Sequence, residues 1–344
     1  MKRVLLVLIV LSVVAGFWKR DALMERVMQR QIDHALARAQ DGLLTDGGLH
    51  VFLCGTAAAL PDPRRAGPCT AIVAGGEFIV VDAGEGSWRQ VDGLNLPIAH
   101  LSALLITHLH SDHITDLGEA ATQSWIAGRA RPLDIYGPPG IDDAVHGFHM
   151  AYAKDDQFRI AHHLPEYMPP SGAEWLAHTL QPQGVDPMPV FERNGVKVTA
   201  FLVQHAPVDY ALGYRVDFAG RSVVLSGDTI KTESVIKNAQ GADLLLHEAL
   251  AKDLVERAAA RAAALGYTRI AKMARDTRGY HTTPVEAAEV AQAAGVKKLV
   301  YTHVFPPLPN RVAEWLFLRG TSKAFGGDIV LGQDGMRFDL PAHQ

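Results

Sequence analysis

Apolar and polar positions along the chain fall into a repeating order of short apolar runs and longer stretches of helical period. Residues 49–54 read as a strand, 55–67 as a proline-bearing loop, and 70–74 and 78–82 as strands around the Gly75-Gly76 turn. A further apolar strand covers 101–107. Residues 114–126 have helical period, 133–136 form a short strand ended by Gly137-Pro138-Pro139-Gly140, and 141–153 form a helix. The stretch 154–194, with several prolines, shows no regular period and reads as a long lid or binding loop. Strands return at 196–203, 213–218 and 222–225. A helix at 230–239, a strand at 244–246, a helix at 284–294 with proline near its start, and a strand at 298–302 follow. Short strands at 329–330 and 336–340 close the pattern. Strands precede and alternate with helices in both halves, so the expected architecture is two sheets packed face to face with helices outside.

The first residues follow a different pattern. Met1-Lys2-Arg3 is basic, residues 4–18 are apolar without a charge, and Lys19-Arg20-Asp21 ends the run. A run of about 15 residues suits a signal peptide or an uncleaved anchor better than a full membrane span. The expected division is therefore a signal peptide or membrane anchor over 1–20, a helical lead-in over 21–48, and one folded domain over 49–344. On this reading the protein is exported, and is periplasmic or anchored facing the periplasm or exterior, with membrane contact through 4–18. In such a compartment Cys54 and Cys69, near the ends of neighbouring strands, are able to pair; two separate buried thiols are the alternative. Neither belongs to a Cys-x-x-Cys, which excludes a thiolate zinc finger.

Composition adds two constraints. The chain has 344 residues, 48% hydrophobic and 20% charged, which suits a globular protein. Its 33 Lys+Arg against 37 Asp+Glu leave a net charge of -4. A dedicated nucleic-acid binder usually carries a basic excess, so a nucleic-acid partner is not expected.

The chemistry concentrates in Thr107-His108-Leu109-His110-Ser111-Asp112-His113, directly after an apolar strand. On an extended backbone His108 and His110 leave on the same side and can reach one metal. Asp112 and His113, where the chain turns into a helix, can supply a second. His205, Asp228 and His303 each follow a later strand. The expected grouping is His108, His110 and His205 on one ion, Asp112, His113 and His303 on the other, and Asp228 bridging them. Imidazole nitrogen and carboxylate oxygen are standard zinc ligands. Two Zn2+ per chain are expected, although such donors also accept Mn2+ or Fe2+.

The His-x-His-x-Asp-His pattern at 108–113 resembles the metallo-β-lactamase fold superfamily, over roughly residue 49 to the C-terminus. The resemblance implies an α/β fold, an αββα four-layer sandwich, here behind an N-terminal apolar signal or anchor helix, with the metals at one sheet edge. It also implies that Asp82, in Val80-Val81-Asp82-Ala83-Gly84-Glu85-Gly86, anchors the site without ligating. Several stretches are similar to the ribonuclease Z and zinc-dependent arylsulfatase branch. They are Leu53-Cys54-Gly55-Thr56 with Pro61 and Arg65, Arg89-Gln90, Leu133-Asp134-Ile135-Tyr136-Gly137-Pro138, Ser226-Gly227-Asp228-Thr229, Ala242 to Ala249, and His281-Thr282-Thr283-Pro284. In that branch the residues matching His247 and His281 assist proton transfer and hold transition-state charge. Three departures point away from the tRNA enzymes: Leu250 in place of a threonine, Val304 to Pro309 in place of a Ser-x-Arg-Tyr segment, and no glycine- and lysine-rich arm within 119–195.

The resulting expectation is a dinuclear-zinc hydrolase cleaving phosphate or sulfate esters of small molecules, phosphodiesterase- or arylsulfatase-like. Paired ions lower the pKa of bound water from about 15.7 toward about 7. Asp112, Asp228, His247 and His281 are the expected catalytic groups, with Arg64, Arg65, His162, His163 and Tyr167 framing the substrate. The alternatives are a ribonuclease Z-type tRNA 3′ endonuclease and a lactone or β-lactam hydrolase. A tethered binding protein with a dead site would have lost ligands, and this chain keeps them. An oligomer, with a dimer favoured, completes the expectation.

Overall fold

The structure is a computed structural model, and it describes residues 20–33 and 41–343. The expected signal or anchor over 4–18 lies outside the described residues. Among the described residues no helix is long and apolar enough to cross a membrane. The chain divides into two units, residues 1–40 and Asp41–Gln344. In the first, residues 20–33 form an exposed helix, α1.

The second unit contains every strand found among the described residues. Sheet one has seven strands in the order β14-β1-β2-β3-β4-β5-β6. These are β1 (Leu49–Gly55), β2 (Cys69–Ala74), β3 (Glu77–Val81), β4 (Leu101–Leu105), β5 (Leu133–Gly137), β6 (Trp175–Thr179) and, from the chain end, β14 (Arg337–Leu340). Sheet two runs β13-β12-β11-β10-β9-β8-β7. Its members are β7 (Met188–Arg193), β8 (Val196–His205), β9 (Val208–Phe218), β10 (Arg221–Leu225), β11 (Leu244–Leu250), β12 (Lys298–Phe305) and β13 (Asp328–Leu331). The pairs β3–β4, β4–β5 and β5–β6 are parallel, as are β10–β11, β11–β12 and β12–β13.

Strand parity builds the layers. Leu49, Val51, Ile79, Val81, Ala103 and Leu105 of sheet one meet Val198, Leu212, Tyr214, Val223, Leu246 and Val300 of sheet two in one buried cluster. Alternate residues point outward. Val80, Leu104 and Ile106 pack under α2 (Ser87–Gly93), α4 (Leu117–Ile126) and α5 (Ile141–His163) through Val91, Leu117, Ala121 and Val145. The four-residue α3 (Ser111–Ile114) lies between α2 and α4 in the chain. On the other side Val224, Leu245, Leu299 and Tyr301 pack under α6 (Glu233–Asn238) and α9 (Pro284–Ala294). The order of layers is helix, sheet, sheet, helix, as expected. The disulfide Cys54–Cys69 joins the end of β1 to the start of β2.

Several stretches differ from the pattern-based expectation, and the expected loop 154–194 holds two strands, β6 and β7. Helix α5 continues to His163, so 154–163 is not irregular. Residues 154–163 contain no glycine or proline, but the apolar residues of α5 share no face, which hid the period. The pair α7 (Lys252–Ala264) and α8 (Thr268–Asp276) occupies a stretch where the pattern places no element. Helices α10 (Arg311–Leu318) and α11 (Thr321–Ala324) follow β12.

Candidate metal centre

Three strand ends and one position within a strand supply the ligand set. β4 ends at Leu105, and the chain continues extended through Thr107, His108 and His110 before turning into α3. His205 is the last residue of β8, Asp228 follows β10, and His303 lies within β12 with a φ of 46°. A left-handed backbone is uncommon for histidine and marks a position held by its surroundings. Close backbone approaches need glycine at two places. A Cβ on Gly84 would lie 2.3 Å from the Asp112 carbonyl oxygen, and one on Gly227 would lie 2.3 Å from that of Leu212.

These elements bring all seven expected ligands together. His108 Nε2 lies 2.9 Å from His110 Nδ1, and His205 Nε2 lies 3.4 Å from the same atom. His303 Nε2 is 3.5 Å from Asp112 Oδ2 and 3.2 Å from Asp228 Oδ2. His113 Nε2 is 3.6 Å from Asp112 Oδ2 and 3.5 Å from Asp228 Oδ2. Asp228 Oδ2 also stands 3.9 Å from both His108 Nε2 and His205 Nε2, so it lies between the two groups. Ligands on a tetrahedral zinc with bonds of about 2.0–2.1 Å are separated by about 3.3 Å. The donors are therefore spaced as two adjoining metal sites require.

Hydrogen bonding supports the same reading. The buried Nε2 atoms of His113 and His303 have no hydrogen-bond partner. His113 Nδ1 donates to Asp82 Oδ2 at 2.8 Å, and His205 Nδ1 donates to the Tyr280 carbonyl at 3.0 Å. Each bond fixes the tautomer that leaves Nε2 free as a ligand. Asp82 also accepts from the Thr107 backbone N at 2.8 Å and from its hydroxyl, and it ties β3 to the ligand loop without facing the cluster.

Burial holds His108, His110 and His205 below the usual imidazole range, in the neutral form that ligates. Burial acts against charge on His113 as well, yet the Asp82 and Asp228 carboxylates outweigh it and raise that group. Burial would raise Asp112 and Asp228, but the histidines around them hold both low, Asp112 at about 2. The site is thus a pocket of paired carboxylate charge and imidazole lone pairs.

The two further histidines part company. His281 lies between His205 and His303, with ring centroids 5.0 and 5.6 Å away. Its Nδ1 is 3.1 Å from Glu248 Oε1, which also accepts from the backbone N of Thr229 and Thr282, each at 3.1 Å. Burial opposes protonation of His281, but Glu248 and then Asp228 raise it to about 9. His247 is not brought into the cluster. Alternation along β11 turns it toward the helix layer with Leu245 and Ala249, and its Nδ1 donates to the Glu248 carbonyl at 2.7 Å. Glu248, given no role in the sequence reading, is the β11 side chain that faces the site.

A cavity of about 540 Å³ opens beside Asp112, lined in part by Arg64, Arg65, Arg89, Gln90, Ser111 and Thr115. Arg65 turns inward, donating to Thr56 Oγ1 and the Gly332 carbonyl. Arg64 reaches the Leu308 carbonyl, and Arg89 is exposed with no ion-pair partner among the described residues. His162, His163 and Tyr167 are exposed around the end of α5 and do not line this cavity.

Residues 78–304 match the family model described as "Beta-lactamase superfamily domain". The chain is 36% identical to the ribonuclease Z of Mycobacterium bovis (strain BCG / Pasteur 1173P2), over 85% of this chain and 98% of that one. It is 39% identical to the ribonuclease Z of Mycobacterium sp. (strain KMS), over 85% and 96%. The crystal structure of human tRNase Z, short form, shares the fold, with a TM-score of 0.60 at 23% identity over 85% of this chain and 99% of that one. Two expectations are overturned by the ribonuclease relatives. A small-molecule ester as partner, with nucleic acid not expected, does not fit relatives named ribonuclease Z over nearly their whole length; net charge averages over the molecule and hides local basic surface. The expected export to the periplasm or exterior, read from the basic and apolar residues at the start of the chain, is overturned by the same ribonuclease Z relatives. The arylsulfatase reading finds no relative among these. The chain belongs to the beta-lactamase superfamily and, within it, to the ribonuclease Z branch, and it is a metal-dependent hydrolase of phosphoester bonds.

Proposed function

We propose that the chain is a ribonuclease Z-type endonuclease that hydrolyses one phosphodiester bond near the 3′ end of precursor tRNA. The observation that carries this reading is the relation to the ribonucleases Z, which covers 85% of this chain and nearly all of theirs, and not the histidine motif alone.

His108, His110 and His205 would hold one divalent cation, Asp112, His113 and His303 a second, with Asp228 between them. Zinc suits these donors, and manganese or iron is compatible with them. Two such cations, when bound, would supply an acidified water and offset phosphate charge. The remaining work falls to the chain's own groups. Asp82 and the Tyr280 carbonyl keep His113 and His205 oriented. His281, held protonated by Glu248, stands at the rim of the cluster, within reach of an oxygen leaving phosphorus, and donates its proton there. Arg89, exposed on the cavity beside Asp112, offers an unpaired guanidinium to a neighbouring phosphate.

The test is cleavage of a precursor tRNA by the metal-loaded protein, with the cut site mapped. One cut near the 3′ end is expected. An intact precursor under conditions where the same preparation turns over bis(p-nitrophenyl) phosphate would remove the reading.

A further inference from the structure

The hairpin of α7 and α8 stands apart from the rest of the molecule in charge. Between Ala251 and Tyr280 the chain carries seven Lys/Arg against three Asp/Glu, within a protein whose net charge is -4. Two of the three acids are already engaged. Glu256 takes both Arg275 and Arg278, and Asp276 takes Lys272. Arg257, Arg261 and Arg269 are exposed and have no ion-pair partner among the described residues. Arg257 and Arg261 lie four residues apart, hence on one side of α7. At the tip and along α8, Leu265, Tyr267, Ile270 and Met273 are each more than half exposed.

The base of the hairpin is fixed. Val255 packs with Ala58, Leu250 and Phe305, and Ala274 packs against the same cluster. The ion pairs of Glu256 tie α8, through Arg275, and the turn after it, through Arg278, to α7. From α8 the chain runs directly to Tyr280. That residue's carbonyl accepts from His205, and its ring meets the His205 ring edge-on at 5.1 Å. The hairpin is thus a braced, positively charged arm whose root forms part of the candidate metal centre.

We infer that the α7–α8 hairpin is an RNA-docking surface: Arg257, Arg261 and Arg269 contact backbone phosphates, and Tyr267 at the tip stacks on an unpaired base. The inference rests on the ribonuclease reading above. Unpaired guanidiniums complement a polyanion, and an exposed tyrosine offers the stacking face that single-stranded RNA uses. A second copy of this chain fits less well, because a like-with-like contact would press unpaired arginines together.

The test compares the wild type with the triple variant Arg257→Ala/Arg261→Ala/Arg269→Ala and its triple Arg→Lys counterpart. Three readouts are taken: KM and kcat for precursor tRNA, the dependence of kcat/KM on salt, and turnover of bis(p-nitrophenyl) phosphate as a check that the centre is intact. The alanine variant is expected to raise KM for precursor tRNA about 10- to 100-fold with kcat nearly unchanged, and to lower the salt slope by about 2–3. The lysine variant should keep most of the slope. Unchanged KM and slope in a variant of intact diester turnover would overturn the inference while leaving the ribonuclease reading in place. So would a changed oligomeric state without a changed RNA affinity. A wild type that turns over the diester yet neither binds nor cuts precursor tRNA would overturn the functional reading, and this inference with it.

Discussion

Glu248 Oε1 lies 3.1 Å from His281 Nδ1, and this pair sets the charge at the rim of the metal cluster. Burial alone would strip the proton from His281; Glu248 and Asp228 reverse that and raise it to about 9. A proton bound that tightly is present at neutral pH and is lost as the pH rises through that value. If His281 donates to the leaving oxygen, kcat should fall on an alkaline limb lying above the ordinary imidazole range and no higher than about 9. His281→Ala should lower kcat by about 10²- to 10⁴-fold and abolish the limb. Glu248→Gln should keep the hydrogen bond, remove the charge and move the limb to lower pH. A limb unmoved by Glu248→Gln in a metal-replete protein would contradict the pairing.

Asp82 acts one bond behind the cluster. Its Oδ2 accepts from His113 Nδ1 at 2.8 Å, while its carboxylate also holds the Thr107 backbone. Asp82→Asn should weaken binding of one of two metals by about 10- to 100-fold, read by competition with a chelator. Equal affinity in the variant would mean that His113 is oriented without it.

Tyr214 joins the two sheets beside the ligand loop. The hydroxyl of this β9 residue donates to the Ile106 carbonyl at 2.8 Å, two residues before His108. Tyr214→Phe leaves that buried carbonyl without this donor. The expected cost is ~1–3 kcal/mol, seen as a lower urea midpoint at unchanged slope. A midpoint equal to wild type would show that the bond contributes nothing net.

Thr283 caps α9 directly after the His281 loop. Its hydroxyl accepts from the Glu286 backbone N at 3.2 Å, and Glu286 Oε2 accepts from the Thr283 backbone N at 2.8 Å. Thr283→Ala should destabilise the protein by ~1 kcal/mol while Thr283→Ser restores most of it. Equal loss in both variants would point to packing in place of capping.

Much of this arrangement is legible in the sequence for a simple reason. Each ligand follows an apolar run whose end can be located without knowing its neighbours, as with His110 after 101–107 or His205 after 196–203. What a strand end does not reveal is which face a neighbouring residue takes. β11 is buried on both faces, so His247 and Glu248 look alike in the pattern, and only the packed sheet shows that Glu248 faces the cluster. Only the second part of α5, 154–163, was hidden, because the apolar residues of that helix share no face. Net charge misled on the substrate, since one hairpin holds a basic excess that the whole-chain sum cancels. The proposed RNA substrate rests on the ribonuclease Z relatives and not on the site, whose donors suit many phosphoesters.

The convergence of His108, His110, Asp112, His113, His205, Asp228 and His303 is tested most directly by counting metal. Protein dialysed against a limiting excess of zinc and analysed for bound metal should hold two ions per chain. His205→Ala and His303→Ala should each fall toward one, and Asp228→Ala should lose affinity for both. A wild-type protein that retains no metal after dialysis, yet still hydrolyses a phosphodiester, would contradict the account.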